Sequence, residues 1–558
     1  MVTGNQLRDA LISAANNIAN KKSMVDSLNV FPVPDGDTGT NMSMTIGAAA
    51  RELEQLKDQP VSEVARVAAA ALLRGARGNS GVILSLLFRG FAKGLQGKDT
   101  ATGADIASAM AMGVEAAYKA VMKPTEGTIL TVSRCAAEKA GDVASTDSSV
   151  KAVFEAILDQ AKETLAKTPD MLPILKKSGV VDAGGQGLVV ILEGMMSFMQ
   201  DGKIIEAAGK PAIVTPIETT ETRSAAGESD QEIKFTYCTE CIIDKAADSN
   251  DALAFRAFLE SIGDSLVFVE DDSIIKVHVH TNDPGSVLHE AINYGTLYTV
   301  KIENMRNQHT SISGGAQAEP APEPKSAEQL FPYAAVDPDT DYGFVAVAAG
   351  SGMHDLFMDL GVNNVVSGGQ TMNPSTDDIL AAIQATPAKT VFVLPNNKNI
   401  IMAAEQAAKL ADRRVFVLQT RSIPQGITAM LAYDPEASAS KNQLDMTHAI
   451  SKVSTGQVTF AARDSDFDGK KIKQGELLAM LNGKLMYTGR DIVKICSRLA
   501  KTMVTKGMGY VTIYYGEDIT EEKAKAVEQA VREKLPSDIE VTLVYGGQPV
   551  YYFVISAE

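Results

Sequence analysis

The chain has 558 residues, which is too long for one hydrophobic core, so about three domains are expected. Its formal net charge of −17 argues against nucleic acid and anionic membrane surfaces as main partners. Its four cysteines are too few for a disulfide framework, and no stretch is apolar over the roughly 18–20 residues of a membrane span. We therefore expect a cytoplasmic protein with no integral membrane segment.

The first part of the chain, residues 1–205, has the pattern of an all-α domain. Its apolar residues repeat at helical spacing, and glycine, asparagine, proline or aspartate separates the repeats. The predicted helices cover residues 5–20, 41–57, 62–75, 81–95, 103–121, 128–141, 148–167 and 185–200. Antiparallel helices joined by loops this short form a closed bundle or barrel, so we predict an eight-helix arrangement.

The rest of the chain alternates between linkers and domains that contain strands. Residues 206–231 and 313–331 lack apolar periodicity and are predicted linkers. Between them, residues 232–312 predict a β-α-β-β-α-β order, an α+β ferredoxin-like middle domain. Its elements are strand 232–243, helix 250–262, strands 265–269 and 273–281, helix 284–294 and strand 297–302. Residues 332–558 predict an α/β domain, with strands at 343–348, 390–394, 414–418, 509–515, 539–545 and 550–556 and helices at 376–386, 399–411 and 520–534.

The most informative segment is the loop Asn29–Asn41, in which Asp35 and Asp37 flank one glycine. Carboxylates without a nearby basic partner attract a hard cation such as Mg²⁺. A helix follows this loop, and Thr38 or Thr40 can cap its first turn. The free N–H groups at the start of the helix attract phosphate. The loop therefore predicts a Mg²⁺–nucleotide site. The alternative is an acidic surface turn, because Asp-Gly is a common turn dipeptide.

Three more glycine-marked loops lie at helix ends, at residues 75–81, 123–128 and 181–187. Ser80 lies where a helix begins, so its hydroxyl and nearby N–H groups can hold phosphate. If the helices alternate up and down, several loops meet at one rim; alternatively each is a plain turn. No histidine precedes His278, so chemistry in this half must use carboxylates, hydroxyls, backbone N–H groups and metal.

The middle domain has a possible metal site of its own. Strand alternation places His278 and His280 on one face, and Cys238 on a neighbouring strand can meet them. One thiolate and two imidazoles suit Zn²⁺ with a fourth position open. A chelate by Cys238 and Cys241 is less expected, since residues three apart point to opposite faces of a strand. The alternative is a polar sheet face at a dimer interface, with incidental histidines.

Two polar loops in the last domain follow predicted strands, at residues 368–374 and 394–399. Loops at the carboxyl ends of parallel strands often bind ligands. Plain turns are the alternative, given their composition.

Four motifs in order resemble the ATP-binding subunit of dihydroxyacetone kinases: Asp35-Gly36-Asp37-x-Gly39-x-Asn41, Gly78-Asn79-Ser80-Gly81, Lys123-Pro124 with Thr128, and Asp182-Ala183-Gly184. That subunit is an eight-helix barrel holding ADP and two Mg²⁺ ions. With the fuller loop Asn29–Asn41, the whole chain resembles the bacterial fatty acid kinase ATP-binding subunit. The partner of that subunit is a DegV-like fatty-acid-binding protein.

The resemblance implies roles for particular residues. Asp35 and Asp37 would hold Mg²⁺, with Asn29 where the barrel family has a third aspartate. The residues implied for nucleotide binding are Thr38, Gly39, Thr40, Asn41, Ser80, Gly81, Thr128, Ile129, Asp182, Ala183 and Gly184. Functional residues are also implied in the middle domain, so the predicted catalytic set is Asp35, Asp37, Cys238, His278 and His280.

The implied reaction is ATP-dependent phosphorylation of a fatty acid carboxylate, giving an acyl phosphate for phospholipid synthesis. A carboxylate is already ionised near pH 7, so it needs no general base, and phosphoryl transfer needs mainly positioning and charge neutralisation. The last domain would dock the carrier, and the middle domain would form a homodimer. The alternatives are a kinase of a small polyol or ketone such as dihydroxyacetone, or a nucleotide-sensing scaffold without catalysis.

Overall fold

A computed structural model describes residues 1–29, 36–121, 124–207, 237–245, 252–270, 274–304, 331–369, 372–467 and 470–558. The chain divides into two compact units. One unit combines Met1–Ala212 with Ser326–Glu558, and the other is Ile213–Lys325. Within the described residues, no helix is both long enough and apolar enough to cross a membrane.

The N-terminal part of the larger unit is helical, as the periodicity predicts. Its helices are α1 (Gly4–Asp26), α2 (Thr38–Leu53), α3 (Val61–Arg74), α4 (Gly78–Gly94), α5 (Gly103–Ala120), α6 (Ile129–Ala144), α7 (Val150–Met171), α8 (Pro173–Ser178) and α9 (Ala183–Asp201). A two-residue strand β1 (Val2–Thr3) pairs with β2 (Thr100–Ala101). The six-residue helix α8 was not predicted, because so short a segment shows no period.

Local sequence signals fix the ends of several of these helices. Thr3 and Gln6 form a capping box at the start of α1, and Thr102 and Asp105 form another at α5. Gly179 ends α8 with φ 63°, a left-handed conformation that favours glycine. The long helices pack in sequence order, and α9 packs against both α7 and α1, so the helices surround a common apolar core.

The smaller unit has the predicted order β-α-β-β-α-β. Its elements are β3 (Tyr237–Lys245), α10 (Ala252–Ile262), β4 (Gly263–Glu270), β5 (Ile274–Thr281), α11 (Pro284–Ala291) and β6 (Gly295–Asn304). The strands form one antiparallel sheet in the order β4-β5-β3-β6. Alternate residues of β3 and β5, including Cys241, Ile243, Val277 and Val279, are buried with Phe255 of α10.

The C-terminal part of the larger unit is α/β. Its first half consists of β7 (Tyr342–Ala348), α12 (Ser351–Asp359), β8 (Asn364–Ser367), α13 (Thr376–Gln384), β9 (Thr390–Leu394), α14 (Ile401–Leu410), β10 (Arg414–Val417), α15 (Ile423–Leu431) and α16 (Ala439–Lys452). The four strands form a parallel sheet in the order β10-β9-β7-β8. Such a sheet collects its loops at the carboxyl ends of the strands.

The second half of this part forms a mixed six-stranded sheet in the order β15-β14-β11-β18-β16-β17. Its elements, with a separate two-stranded ribbon β12-β13, are β11 (Ser454–Phe460), β12 (Ser465–Phe467), β13 (Lys470–Ile472), β14 (Leu477–Leu481), β15 (Lys484–Gly489), α17 (Ile492–Met503), β16 (Tyr510–Tyr515), α18 (Glu521–Arg532), β17 (Glu540–Tyr545) and β18 (Phe553–Ala557). The sequence predicted only its last strands and α18.

The helical part and the parallel sheet share one hydrophobic core. Val82 and Leu86 of α4 are buried in the same cluster as Val345 of β7, Ile379 of α13 and Ala404 of α14. Burying an aliphatic side chain of this size contributes about 1.5–3 kcal/mol. Apolar packing therefore holds the two parts together and fixes the loops at their boundary.

Candidate functional site

The N-terminus of α2 is closed by a carboxylate from the end of α1. Asp26 Oδ1 accepts hydrogen bonds from the amides of Gly39 and Thr40 at 2.7 and 3.1 Å, and its Oδ2 accepts one from Thr40 Oγ1 at 2.8 Å. The prediction that Thr38 or Thr40 caps this helix is wrong. The position before α2 is Asp37, which makes no capping bond, because Asp26 already satisfies the free N–H groups.

Asn29 lies beside this helix end, and its side chain is engaged by protein groups. Its Oδ1 accepts a hydrogen bond from Thr38 Oγ1 at 2.8 Å, and its Nδ2 donates to the Asp26 carbonyl at 2.8 Å. Arg463 Nη2 donates to the Asn29 carbonyl at 2.6 Å. The amide oxygen suggested as a Mg²⁺ ligand is thus shared with a threonine hydroxyl. Asp35 lies outside the described residues.

Asp37 is held by a residue from the C-terminal part of the chain. Asn373 Nδ2 donates to Asp37 Oδ2 at 2.5 Å, and Asn373 is buried. Arg77 Nη1 donates to the Asn373 carbonyl at 2.7 Å, and its Nη2 lies 3.4 Å from Asp378 Oδ2. Burial lowers the pKa of Arg77, and Asp378 opposes that shift. A chain of polar contacts therefore runs from the C-terminal part to the predicted metal-binding carboxylate.

The loop at residues 75–81 also meets the C-terminal part through its backbone. The amide of Thr376 donates to the Ala76 carbonyl at 3.1 Å. Gly78 has φ +59°, and a Cβ added there would lie 2.6 Å from Asn41 Nδ2. This position requires glycine both for its left-handed conformation and for the close approach of Asn41.

Two further helix ends bring the remaining predicted residues together. Asp182 precedes α9, and its Oδ2 accepts a hydrogen bond from the Gly185 amide at 2.7 Å. Burial raises the pKa of Asp182, while hydrogen bonds from the Gly185 and Ile129 amides act in the opposite direction. Thr128 precedes α6 and donates from Oγ1 to the Thr125 carbonyl at 2.7 Å.

These helix ends surround one cavity of about 930 Å³, a volume typical of ligand pockets. The predicted residues in its wall are Asn29, Asp37, Thr38, Asn41, Ser80, Thr128, Ile129, Asp182, Ala183 and Gly184. Gly39, Thr40 and Gly81 are not in the wall. The amides of Gly39 and Thr40 are bonded to Asp26, and a Cβ on Gly81 would lie 2.4 Å from Thr45 Oγ1.

The opposite wall comes from the C-terminal part and includes both of its predicted loops. Gly368 and Gly369 follow β8, and residues 395–399 follow β9. Asn397 Nδ2 donates a short hydrogen bond to the Gly369 carbonyl, which joins the two loops. Arg421, which was not predicted from the sequence, also lines this wall. The sequence signal that could have indicated it is its position after strand β10, because the loop after β10 lies at the same carboxyl edge of the parallel sheet as the other two loops.

In the smaller unit, strand pairing places Cys238 opposite His280 and Glu240 opposite His278. The side chains of Cys238, His278 and His280 lie outside the described part of the structure. Cys241 is buried in the core, and burial raises its pKa to about 11. Among the side chains that the structure describes, no three or more histidine, cysteine, aspartate or glutamate residues are grouped so that they could hold a metal ion.

Comparison with known proteins identifies the family. The DAK2 domain model matches residues 32–197, and the models for the middle and C-terminal domains of FakA-like fatty acid kinase proteins match residues 234–312 and 343–558. Protein YloV of Bacillus subtilis (strain 168) is 43% identical over 558 residues, 100% of this chain and 99% of that protein. SH1689 of Staphylococcus haemolyticus (strain JCSC1435) is 39% identical over 563 residues, 100% of this chain and 99% of that protein.

The chain belongs to the FakA-like family of fatty acid kinase proteins, which confirms the resemblance predicted from its motifs. Its DAK2 and FakA-like domains are related to kinases and support the conclusion that the protein is a kinase.

Solved structures match parts of the chain. The DegV family protein Cg2579 from Corynebacterium glutamicum matches with TM-score 0.31 and 15% identity, over 39% of this chain and 97% of that one. The dihydroxyacetone kinase from C. freundii in complex with AMP-PNP and Mg²⁺ matches with TM-score 0.28 and 18% identity, over 35% of this chain and 34% of that one.

Proposed function

We propose that this chain is the ATP-binding catalytic subunit of a cytoplasmic kinase. Its substrate is the carboxylate of a fatty acid presented by a DegV-like carrier protein, and its product is an acyl phosphate. The observation that carries the proposal is the cavity of about 930 Å³. Its wall includes residues predicted to bind nucleotide, which lie at the N-termini of α2, α4, α6 and α9. Family membership supports the same conclusion.

Mg²⁺ fits the oxygen donors at the N-terminus of α2. Asp37 offers a carboxylate, Thr38 a hydroxyl and Asn29 an amide oxygen, and Mg²⁺ prefers such hard ligands. In our proposal Asp37 acts with Asp35 to hold two Mg²⁺ ions, and Asn29 assists. When bound, the ions would neutralise the charge of the phosphates.

The remaining residues of this wall would position the nucleotide. Ser80 and Thr128 line the wall at the starts of α4 and α6, and free N–H groups at helix starts favour phosphate. Asp182, Ala183 and Gly184 would close over the nucleotide from the start of α9. The acceptor carboxylate is ionised near pH 7, so the lack of histidine before His278 is no obstacle.

Each domain has a role in this proposal. The helical domain, residues 1–205, is an eight-helix barrel of the dihydroxyacetone kinase type that binds Mg²⁺–ATP. The middle domain, residues 232–312, is ferredoxin-like, forms a homodimer and carries Cys238, His278 and His280 as a catalytic or Zn²⁺ site. Residues 332–558 dock the carrier, and residues 206–231 and 313–331 are linkers.

The test is to incubate the full-length protein with Mg²⁺–ATP, a fatty acid and a DegV-family protein, and to trap acyl phosphate with hydroxylamine. Wild type should give trapped product, and Asp37→Ala should lower the rate by more than about a hundredfold, as expected for loss of a charge-stabilising group. Asp159→Ala, an exposed position on α7, is the matched control and should match wild type.

Two outcomes would replace the proposal. Phosphorylation of free dihydroxyacetone without any carrier, and no acyl phosphate, would identify a polyol kinase. Full biological activity in cells carrying the Asp37→Ala variant would instead identify a nucleotide-sensing scaffold.

A further inference from the structure

The two walls of the cavity differ in charge. Of the described residues in the helical wall, Asp37 and Asp182 are charged, and none is a lysine or arginine. The wall from the C-terminal part contributes Lys398 and Arg421, and within the described lining these are the only cations. Any polyphosphate or carboxylate in this cavity would therefore meet its positive side chains on the C-terminal wall.

Lys398 and Arg421 are available for an anionic ligand. Both are exposed, and neither forms an ion pair with a carboxylate in the described parts of the chain. An unpaired cation in a cleft attracts anions, and arginine matches the geometry of phosphate and carboxylate oxygens.

The loop that carries Lys398 is tied to the predicted metal-binding carboxylate. Asn397, its neighbour, bonds to the Gly369 carbonyl, and the Gly369 amide donates to the Met372 carbonyl at 2.9 Å. Asn373, next in sequence, bonds to Asp37. A series of hydrogen bonds therefore connects the loop that carries Lys398 to Asp37 at the N-terminus of α2. Arg421 follows the adjacent strand β10, on the same edge of the sheet.

We propose that Lys398 and Arg421 form an oxyanion subsite, by which the C-terminal part completes the kinase site. The ligand is a phosphate or carboxylate oxyanion, from either the terminal phosphate of ATP or the carboxylate of the acceptor. This inference deepens the proposed function and rests on it. It gives the C-terminal part a binding role in the reaction itself, in addition to carrier docking.

The test measures two quantities on full-length Lys398→Gln and Arg421→Gln. The first is the ratio of Mg²⁺–ATP to Mg²⁺–ADP affinity, by calorimetry without acceptor. The second is the KM for a fatty acid loaded on a DegV-family protein, by hydroxylamine trapping. Loss of one charged hydrogen bond should change one quantity by about tenfold or more. Arg421→Lys keeps the charge and should recover part of the loss.

The source of the anion decides which quantity changes. A reduced preference for ATP over ADP identifies the terminal phosphate, and an unchanged preference with a raised KM identifies the acceptor carboxylate. The matched control is Lys409→Gln, an exposed lysine near the end of α14 that does not line the cavity. If both variants match this control in both measurements, the subsite is refuted while the kinase assignment stands.

Failure of the proposed function has a different signature. In that case wild type makes no acyl phosphate, and the subsite is decided by the nucleotide measurement alone. An ATP preference equal to that of the Lys409→Gln control would then overturn it.

Discussion

Replacing Asn373 by alanine should weaken Mg²⁺ binding, although the substitution changes no residue of the helical part. The bond that is lost joins Asn373 Nδ2 to Asp37 Oδ2 at 2.5 Å, and its acceptor is a carboxylate. Hydrogen bonds to charged groups contribute about 1.5–3 kcal/mol. Loss of a partner that orients a metal ligand typically lowers metal affinity about 10–100-fold. We therefore expect the Mg²⁺ concentration for half-maximal activity to rise at least about tenfold.

The assay is a Mg²⁺ titration of ATP-dependent acyl phosphate formation, together with the thermal midpoint of each variant. Asn442→Ala is the matched control, because Asn442 is also a buried asparagine of the C-terminal part. It bonds to the Asp434 and Ala437 carbonyls at 2.8 and 3.3 Å and does not line the cavity. The control should lose thermal stability and keep the wild-type Mg²⁺ midpoint.

The reasoning is refuted if Asn373→Ala loses thermal stability as the control does while its Mg²⁺ midpoint stays at the wild-type value. Asn373 would then serve only to hold the two parts of the chain together.

Three other measurements test separate features. Arg77→Met should lower the thermal midpoint, because it removes contacts to the C-terminal part worth about 1.5–3 kcal/mol, whereas Arg89→Met, exposed on α4, should change it little. Burial raises the pKa of Asp182 above its usual value of 3.8, so its contribution to stability is complete below that value and is lost as pH rises through the raised pKa. Asp182→Asn should therefore gain thermal stability relative to wild type as the pH of the melting assay rises from about 4, and a gain that shrinks as the pH rises would contradict this account. Elemental analysis should find less zinc in Cys238→Ser than in wild type, and equal contents would remove zinc from the middle domain.

The sequence predicted the helical part well because its helices are long and amphipathic. Helices such as α5, at Gly103–Ala120, carry enough turns for the period to be clear. In the six-stranded sheet, β16, β17 and β18 were predicted but β11, β14 and β15 were not. The inner strand β11 pairs with β14 and with β18, a strand far along the chain. Such pairings depend on tertiary packing, which short-range patterns do not reveal.

The same division applies to the candidate site. Residues such as Ser80 and Asp182 could be predicted because helix ends have local chemical signatures. The bond between Asn373 and Asp37 could not, since 336 positions separate the two residues along the chain. Asp26 was missed for a different reason. Its role is to cap a helix that is not its own, and helix-end patterns do not show such a cap.

The shared core of α4 with β7, α13 and α14 bears on how shortened forms of this protein should be interpreted. Removing residues 331–558 would lay bare apolar side chains such as Leu86 and Val82, and would delete one side of the cleft together with Asn373. An inactive fragment would thus reveal nothing about carrier recognition by itself. Carrier recognition is better tested with point substitutions of exposed residues in the C-terminal part, because these leave the shared core intact.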